Sequence, residues 1–129
     1  MRSVEEKLVF KRKLEERTSV FAASVFGFLD SLPSKISSRV IAFQLGKSAS
    51  SVGANYREAN RAESMDDFIH KIGIVLTESS ESLYWLDLLQ RLYPQQEQVS
   101  SLYSECDELV RIFQSIRRGI HDRKKKLKS

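Results

Sequence analysis

Breaks and cross-links are scarce in this 129-residue chain, which holds one cysteine, two prolines and five glycines. A single cysteine excludes an internal disulfide framework and fits a reducing cytosol. The scarcity of proline and glycine favours long helices, because both residues weaken or interrupt a helix. No apolar run reaches the ~18 residues of a membrane span, and the start lacks the apolar segment of a secretory signal. We therefore expect a cytoplasmic protein that does not cross a membrane.

Charge is unevenly distributed along the chain, although 41% hydrophobic and 29% charged residues are typical of one globular domain. Residues 111–129 hold eight basic residues and one acidic residue, whereas residues 64–110 hold nine acidic residues and two basic ones. The formal net charge of +4 therefore comes from the ends of the chain. This pattern indicates a basic tail and not a uniformly basic face for nucleic acid.

Helical periodicity divides the chain into four long segments, at about residues 4–32, 34–61, 65–92 and 96–123. Pro33 ends the first segment, and Ser34 and Ser64 are the expected caps of the next two. Four long helices joined by short turns predict an all-α, antiparallel up-down-up-down four-helix bundle. We expect one domain over residues 1–123, fraying after His121, and a frayed basic tail over residues 124–129.

The predicted core consists of residues that recur every three or four positions along each segment. Its members are Phe21, Val25, Phe28 and Leu32, then Ile41, Leu45, Ser48, Val52 and Tyr56, then Phe68, Ile72, Val75, Ser79, Leu83, Leu86 and Leu89, and finally Val99, Leu102, Cys106, Leu109, Phe113, Ile116 and Ile120. Because Cys106 lies in this stripe, we expect a buried, inert thiol in preference to a nucleophile.

Two glycines, Gly46 and Gly53, lie in the middle of the second segment. Each costs a helix about 1 kcal/mol relative to alanine. We interpret them as positions where another backbone approaches closely; the alternative is that the helix merely tolerates them.

A second, half-polar stripe runs beside the core stripe on the second and third segments, where a small monomer needs only one apolar face. It comprises Gln44, Asn55, Glu58, Glu78, Glu81 and Trp85. We interpret this stripe as a contact with another copy of the chain, and Trp85 as part of that contact in preference to the core. We further expect Glu58, Arg61, Glu78 and Glu81 to form a polar network close to the subunit boundary.

Candidate catalytic groups are few. A di-iron site in a bundle needs two Glu-x-x-His pairs, but the chain has two histidines and only Asp67-x-x-His70 resembles such a pair. Cys106 and His121 lie roughly 20 Å apart by helix rise, too far for nucleophile and base. Glu78 and Glu81 suit ion pairs with Arg57 and Arg61 better than acid–base chemistry. We therefore predict no catalytic residue, cofactor or metal.

The basic tail is the strongest candidate for binding. Clustered cations release counterions from nucleic acid and so bind it without regard to sequence. The candidate residues are Arg117, Arg118, Arg123, Lys124, Lys125, Lys126 and Lys128. A solvated terminus that only keeps the protein soluble is the alternative. Lys11, Arg12 and Lys13 could extend the same surface or lie elsewhere.

The run from Gln44 to Ala59, QLGKSASSVGANYREA, resembles the signature of a bacterial four-helix-bundle family, that of the 23S rRNA intervening-sequence proteins. Arg61, Ser64, Asp67-Phe68 and the run from Leu76 to Leu86 continue the match. The resemblance implies a small cytosolic protein without enzymatic activity that assembles as a homo-oligomer, typically a pentameric ring. The family is also similar to accessory proteins of diversity-generating retroelements, which bind nucleic acid and a reverse transcriptase.

The sequence departs from the family pattern at Ala59, where many members have glycine, and at Tyr56-Arg57, where many have a small apolar pair. These departures put in doubt any ligand role for that corner. Our leading hypothesis is a non-enzymatic bundle that self-assembles and presents basic ends to RNA or DNA. A protein–protein adaptor is the alternative, and a metal or small-molecule enzyme ranks last.

Overall fold

A computed structural model describes residues 2–128 of the chain, with the side chain of Lys128 left aside. It consists of four helices: α1 (Val4–Asp30), α2 (Ile36–Ala59), α3 (Met65–Leu92) and α4 (Glu97–Lys128). Each helix packs against two neighbours, α1 on α2 and α4, and α3 on α2 and α4. The predicted all-α four-helix bundle is confirmed. No helix in this part of the chain combines the length and the apolar character that crossing a membrane requires.

Serine side chains fix the starts of the helices. Ser3 and Glu6 form a capping box on α1, and the Asp67 backbone N–H donates to Ser64 Oγ at 3.0 Å, as expected for the cap of α3. The expectation for α2 is wrong, because the N-cap is Lys35 and not Ser34. There the Lys35 backbone N–H donates to Ser38 Oγ at 2.9 Å, so a serine inside the first turn does the capping.

The core follows the predicted stripe fully in α2, whereas each of the other three stripes has members that are only partly buried, among them Leu32, Ile116 and Ile120. Ser82 is fully buried, whereas Leu83 and Phe68, both expected in the core, are only partly buried. The Ser82 hydroxyl lies 2.8 Å from Ser48 Oγ across the α2–α3 contact. A serine can be buried at such a crossing because its hydroxyl is hydrogen-bonded, and its small size lets the helices approach.

Close packing at the α2 glycines is confirmed; side-chain atoms make the nearest approach at both, and at Gly53 the Thr18 backbone also comes within 3.7 Å of where a Cβ would lie. A Cβ on Gly46 would lie 2.9 Å from Phe26 Cε1, and a Cβ on Gly53 would lie 2.8 Å from Thr18 Oγ1. Both contacts come from α1. The glycines therefore let α2 accept two α1 side chains into the space where its own side chains would stand.

Helix α4 is longer than the sequence predicts. The expectation that the helix frays after His121 is wrong, because α4 is continuous to Lys128. Lys124 forms an ion pair with Asp66 near the start of α3, which anchors this part of α4 to the bundle. Lysine, arginine and leucine are also good helix formers, so this basic sequence disfavours helix less than its charge suggests.

Candidate nucleic-acid interface

The buried core stops before the helices do at the end of the bundle where α1 begins and α4 finishes. Leu14, Ile72 and Phe113 are the outermost buried residues of α1, α3 and α4 toward this end. The Tyr56 and Phe113 rings form the last layer, with centroids 5.3 Å apart and planes inclined by 55°. We call this the open end, in contrast to the closed end formed by the connections at residues 31–35 and 93–96.

Two helical arms project beyond that last layer. The α1 arm is residues 2–11, and the α4 arm is residues 114–128. The α4 arm runs 15 residues past Phe113, which is about 22 Å at 1.5 Å per residue. Because the antiparallel order brings the first and last helices to the same end, the basic groups of both chain termini lie together there. Lys11 thus belongs to the same surface as the basic tail, a question that the sequence left open.

Between the arms lies a cavity of about 870 Å³, which we call the end cavity. Its basic lining residues are Arg2, Lys7, Lys11 and Arg123. Its apolar and aromatic lining residues are Phe10, Tyr56, Phe68, Ile112, Ile116 and Ile120. The Arg2 guanidinium stands over the Phe10 ring at 4.3 Å from the centroid. Asn60 also lines the cavity, and its Oδ1 is buried without a hydrogen-bond partner among the described residues.

A second, shallower groove of about 770 Å³ lies between α3 and the α4 arm. Arg117, Arg118 and His121 line its α4 side, and Thr77 and Ser80 line its α3 side. Both arginines are exposed. The groove therefore combines two guanidinium groups with the Ser80 hydroxyl, which are donors suited to phosphate oxygens, whereas the Thr77 hydroxyl already donates to the Gly73 carbonyl at 3.1 Å.

The remaining predicted cations of the tail differ in their surroundings. Arg123 lines the end cavity, Lys125 is exposed, and Lys124 is half-buried in its ion pair with Asp66. Lys126 is exposed and has an interaction of its own. The Lys128 side chain lies outside the described residues. The predicted tail thus divides between two grooves on either side of one helix.

Acidic side chains occur at the open end as well, but several are already engaged. Asp66 pairs with Lys124, and Asp67 lies 3.7 Å from Lys71 Nζ. Glu6 accepts the Ser3 backbone N–H in the capping box. The arms are nevertheless basic overall, because residues 2–11 hold three basic and two acidic residues and residues 114–128 hold seven basic residues and one acidic residue.

The half-polar stripe on α2 and α3 is only partly covered within one chain. Gln44, Asn55, Glu78 and Trp85 are half-buried, whereas Glu58, Arg61 and Glu81 are exposed. Burial raises the pKa of Glu78, the neighbouring Glu81 raises it further, and Lys47 opposes the shift. The Trp85 indole Nε1 is buried without a hydrogen-bond partner among the described residues. An orphaned donor of this kind is unfavourable unless something outside the chain accepts from it.

The expected polar network does not form within one chain. Across residues 2–128, no ion pair or side-chain hydrogen bond joins Arg61 to Glu58, Glu78 or Glu81; the Arg61 backbone N–H donates to the Glu58 carbonyl at 3.0 Å, as part of the end of the helix. The expected pairing of Arg57 with Glu78 or Glu81 is also wrong: Arg57 binds Glu15 of α1 at 3.1 Å. A role for these residues between copies of the chain stays a prediction.

Two polar clusters that tie α1 to its neighbours were missed by the sequence reasoning. Arg17 binds Glu105 through two hydrogen bonds of 2.8 and 2.7 Å and also reaches Glu108 at 3.1 Å. The hydrogen bond to Glu105 raises the pKa of Arg17 above its usual value, against the effect of burial. The Glu15 carboxylate accepts hydrogen bonds from both Arg57 and Asn60. Helical periodicity carries no signal for contacts between residues 88 positions apart.

The single cysteine of the chain lies inside the bundle. Cys106 is buried, its thiol donates to the Ser79 carbonyl at 3.3 Å, and burial raises the pKa of Cys106 to about 12. The expectation of a buried thiol is confirmed, and the raised pKa disfavours the reactive thiolate. Among the described residues, no three histidine, cysteine, aspartate or glutamate side chains lie close enough to hold a metal ion together.

The fold and this basic end define the class as an all-α four-helix bundle with a cationic, open end. A family model described as 23S rRNA-intervening sequence protein matches residues 12–115. The chain therefore belongs to the 23S rRNA-intervening sequence protein family. The matched residues cover the core layers, whereas nearly all of both arms lies outside them.

A solved structure supports the same assignment. A protein with unknown function from the S23 ribosomal protein family of Bacteroides thetaiotaomicron is 32% identical to this chain. The alignment covers 84% of this chain and 97% of that chain, with a TM-score of 0.75. No curated protein matches the sequence.

Proposed function

We propose that this protein is a non-enzymatic, self-assembling bundle of the bacterial cytosol that binds RNA or DNA through the phosphates of the backbone. The observation that carries the proposal is the placement of Arg117 and Arg118 over the α3–α4 groove, on a continuous helix whose other side carries Arg123. A helix holds these cations at fixed spacing, so less side-chain and backbone freedom is lost on binding than with a frayed tail.

The electrostatics favour binding that ignores sequence and depends on salt. Each phosphate that a lysine or arginine neutralises releases condensed counterions, and the affinity falls as the salt concentration rises. The α1 arm adds Lys7 and Lys11 at the same end. A backbone that crosses the open end therefore meets cations from both termini of the chain.

The proposal is tested by titrating a labelled RNA or DNA with the protein at several salt concentrations. We expect Arg117→Gln/Arg118→Gln to weaken binding several-fold and to lower the salt slope by about 1 to 2 units. The matched control is Lys35→Gln/Arg39→Gln, which removes two exposed cations from the closed end. Affinity that does not respond to salt, or that falls equally in both double variants, would contradict the proposal.

Self-assembly is the second part of the proposal, and it follows from surfaces that one chain leaves uncovered. Ile36, Val40 and Phe43 form an exposed apolar stripe on α2, with Phe43 69% exposed. The half-buried Trp85 on the neighbouring helix has an unpaired indole N–H. A second copy that covers this side would bury the stripe and could accept that hydrogen bond. A pentameric ring is the assembly that the family resemblance favours.

Sedimentation velocity measures this directly, since one chain has a mass of 14.8 kDa. We expect a multiple of that mass, five chains for the ring, and a shift toward single chains in Phe43→Asp. The matched control is Leu8→Asp, which places the same charge at an exposed apolar position of the α1 arm. A wild type that stays a single chain at all concentrations would contradict the proposal of self-assembly but would not affect the proposal of nucleic-acid binding.

A protein–protein adaptor is the second candidate, and the same apolar stripe on α2 favours it. In that case a different protein, and not another copy, would cover Phe43 and Trp85. Capture of one dominant partner that survives nuclease treatment and is lost in Phe43→Asp would favour the adaptor. Assembly of the purified chain alone would favour self-association.

A further inference from the structure

We infer that the end cavity receives an unstacked base of a single-stranded nucleic acid while the rim cations hold the adjoining phosphates. This inference rests on the proposed function and names the form of nucleic acid that the open end selects. The cavity volume of about 870 Å³ falls within the range of small-ligand pockets. Its lining comes from α1 and α4, from Tyr56 and Asn60 at the end of α2, and from Phe68 of α3.

The walls offer flat aromatic surface. Tyr56 packs on Phe113 at the floor, and Phe10 and Phe68 contribute partly buried rings at the sides. Base–aromatic stacking tolerates any sequence because every base has a π-face. The Arg2 guanidinium already stands over one of these rings, and a guanidinium plane stacks on a base in the same manner.

The rim supplies positive charge from both arms. Lys7 and Lys11 come from α1 and Arg123 comes from α4, and no acidic residue is among the described residues that line the cavity. A base inserted between the arms would place its own phosphates beside these cations. The charge of the rim is therefore complementary to the one part of a nucleotide that cannot enter an apolar cavity.

Polar groups inside the cavity distinguish a base from an alkyl chain, the other anionic ligand that an apolar pocket could admit. Tyr56, Asn60 and Ser115 line the cavity beside the aromatic rings. The Asn60 Oδ1 has no partner among the described residues and can accept from the edge of a base, whereas an alkyl chain offers it no donor. Single strands should also be preferred over duplexes, because a paired base must first be unstacked and unpaired.

The test compares one single-stranded RNA of about 12 nucleotides, within the usual site size, with its blunt duplex at the same salt concentration. Ser115→Trp fills the cavity without removing charge, since Ser115 is an exposed residue of its lining. The matched control is Ser104→Trp, an exposed position three turns earlier on the same face of α4. Phe68→Ala is a second variant, which removes one aromatic ring from the wall of the cavity.

We expect the wild type to bind the single strand about tenfold or more tightly than the duplex. Ser115→Trp should lose that preference, and Phe68→Ala should weaken it, while the melting temperature of Ser115→Trp and its affinity for the duplex stay unchanged. Ser104→Trp should behave as the wild type.

Three results would overturn the inference in distinguishable ways. Equal affinity for the single strand and the duplex, unchanged by Ser115→Trp, would contradict base insertion but would agree with binding through the phosphates. Binding of neither probe at low salt sinks both proposals. Tight binding of a fatty acid such as dodecanoate that Ser115→Trp abolishes, with single-strand affinity unaffected by the same variant, assigns the cavity to an anionic amphiphile instead.

Discussion

The closed and open ends of this bundle are built from the same four helices but are stabilised differently. At the closed end, Phe28 and Leu29 of α1, Leu89 of α3 and Val99 of α4 are buried up to the connections. At the open end, the last layer is Tyr56 on Phe113, and the arms beyond it carry half-buried or exposed residues. Apolar burial therefore holds one end, while charge and helix propensity maintain the arms at the other.

This difference indicates that the closed end provides stability and the open end provides a surface for binding. At the closed end the apolar side chains are already buried by their neighbours, so no ligand is needed to cover them. An end with a cavity, aromatic walls and a basic rim is suited to contact another molecule. The core layers between them, joined across α1 and α4 by the Arg17–Glu105 pair, keep the two arms at a fixed separation. The open end can thus be shaped for binding without reducing the stability that the closed end provides.

A pair of phenylalanines on α1 tests the comparison with the largest expected effect. Phe28 and Phe10 lie five turns apart on the same face of the helix, the first 1% exposed at the closed end and the second partly buried at the end cavity. Phe28→Ala should lower the free energy of unfolding by about 3–5 kcal/mol, because it leaves a cavity in a packed layer. Phe10→Ala should cost roughly 1–2 kcal/mol, because less surface is buried there.

Equilibrium urea unfolding at one fixed protein concentration measures both variants, since assembly would otherwise change the apparent stability. The informative quantity is the ratio of the two decreases in the free energy of unfolding. Equal costs would mean that the open end is packed as tightly as the closed end in solution. In that case the arms close over the cavity, and the comparison fails.

Periodicity predicted much of the fold because it depends on local spacing alone. The α4 stripe from Val99 to Phe113 is buried as expected, but Ile116 and Ile120, which continue the same spacing, are only partly buried. Spacing shows which face of a helix is apolar and not where the opposing helices end. The end cavity is lined by residues of all four helices, so its shape is a property of four segments together that no single stretch of sequence encodes.

The candidate site was predictable in its charge but not in its shape. The cluster of cations from Arg117 onward is evident from composition. Its division between a polar groove and an aromatic cavity depends on which faces of one helix meet α3 and α1. The second stripe illustrates the converse. Spacing separates Trp85 from the core positions, but Trp85 is partly buried against the core, and Arg57 binds Glu15 on α1 instead of the acids on α3. Charged side chains reach several partners, so spacing alone does not select among them.

The smallest expected effect concerns the ion pair that anchors the α4 arm. Lys124 binds Asp66 across the α3–α4 contact, whereas Lys125 is exposed. Lys124→Gln should lower the free energy of unfolding by under about 1 kcal/mol at low salt and by less at high salt, because partly exposed ion pairs are weak and screened. Amide hydrogen exchange in the last turns of α4 should nevertheless accelerate, since local opening depends on local contacts.

Lys125→Gln is the matched control, with the same change of charge one residue away. It should leave both the exchange rates and the free energy of unfolding close to the wild type. Equal acceleration in the two variants would mean that helix propensity alone orders the arm. Acceleration confined to Lys124→Gln would mean that α3 holds the arm in place, and that the geometry of both grooves depends on one contact between the start of α3 and the end of α4.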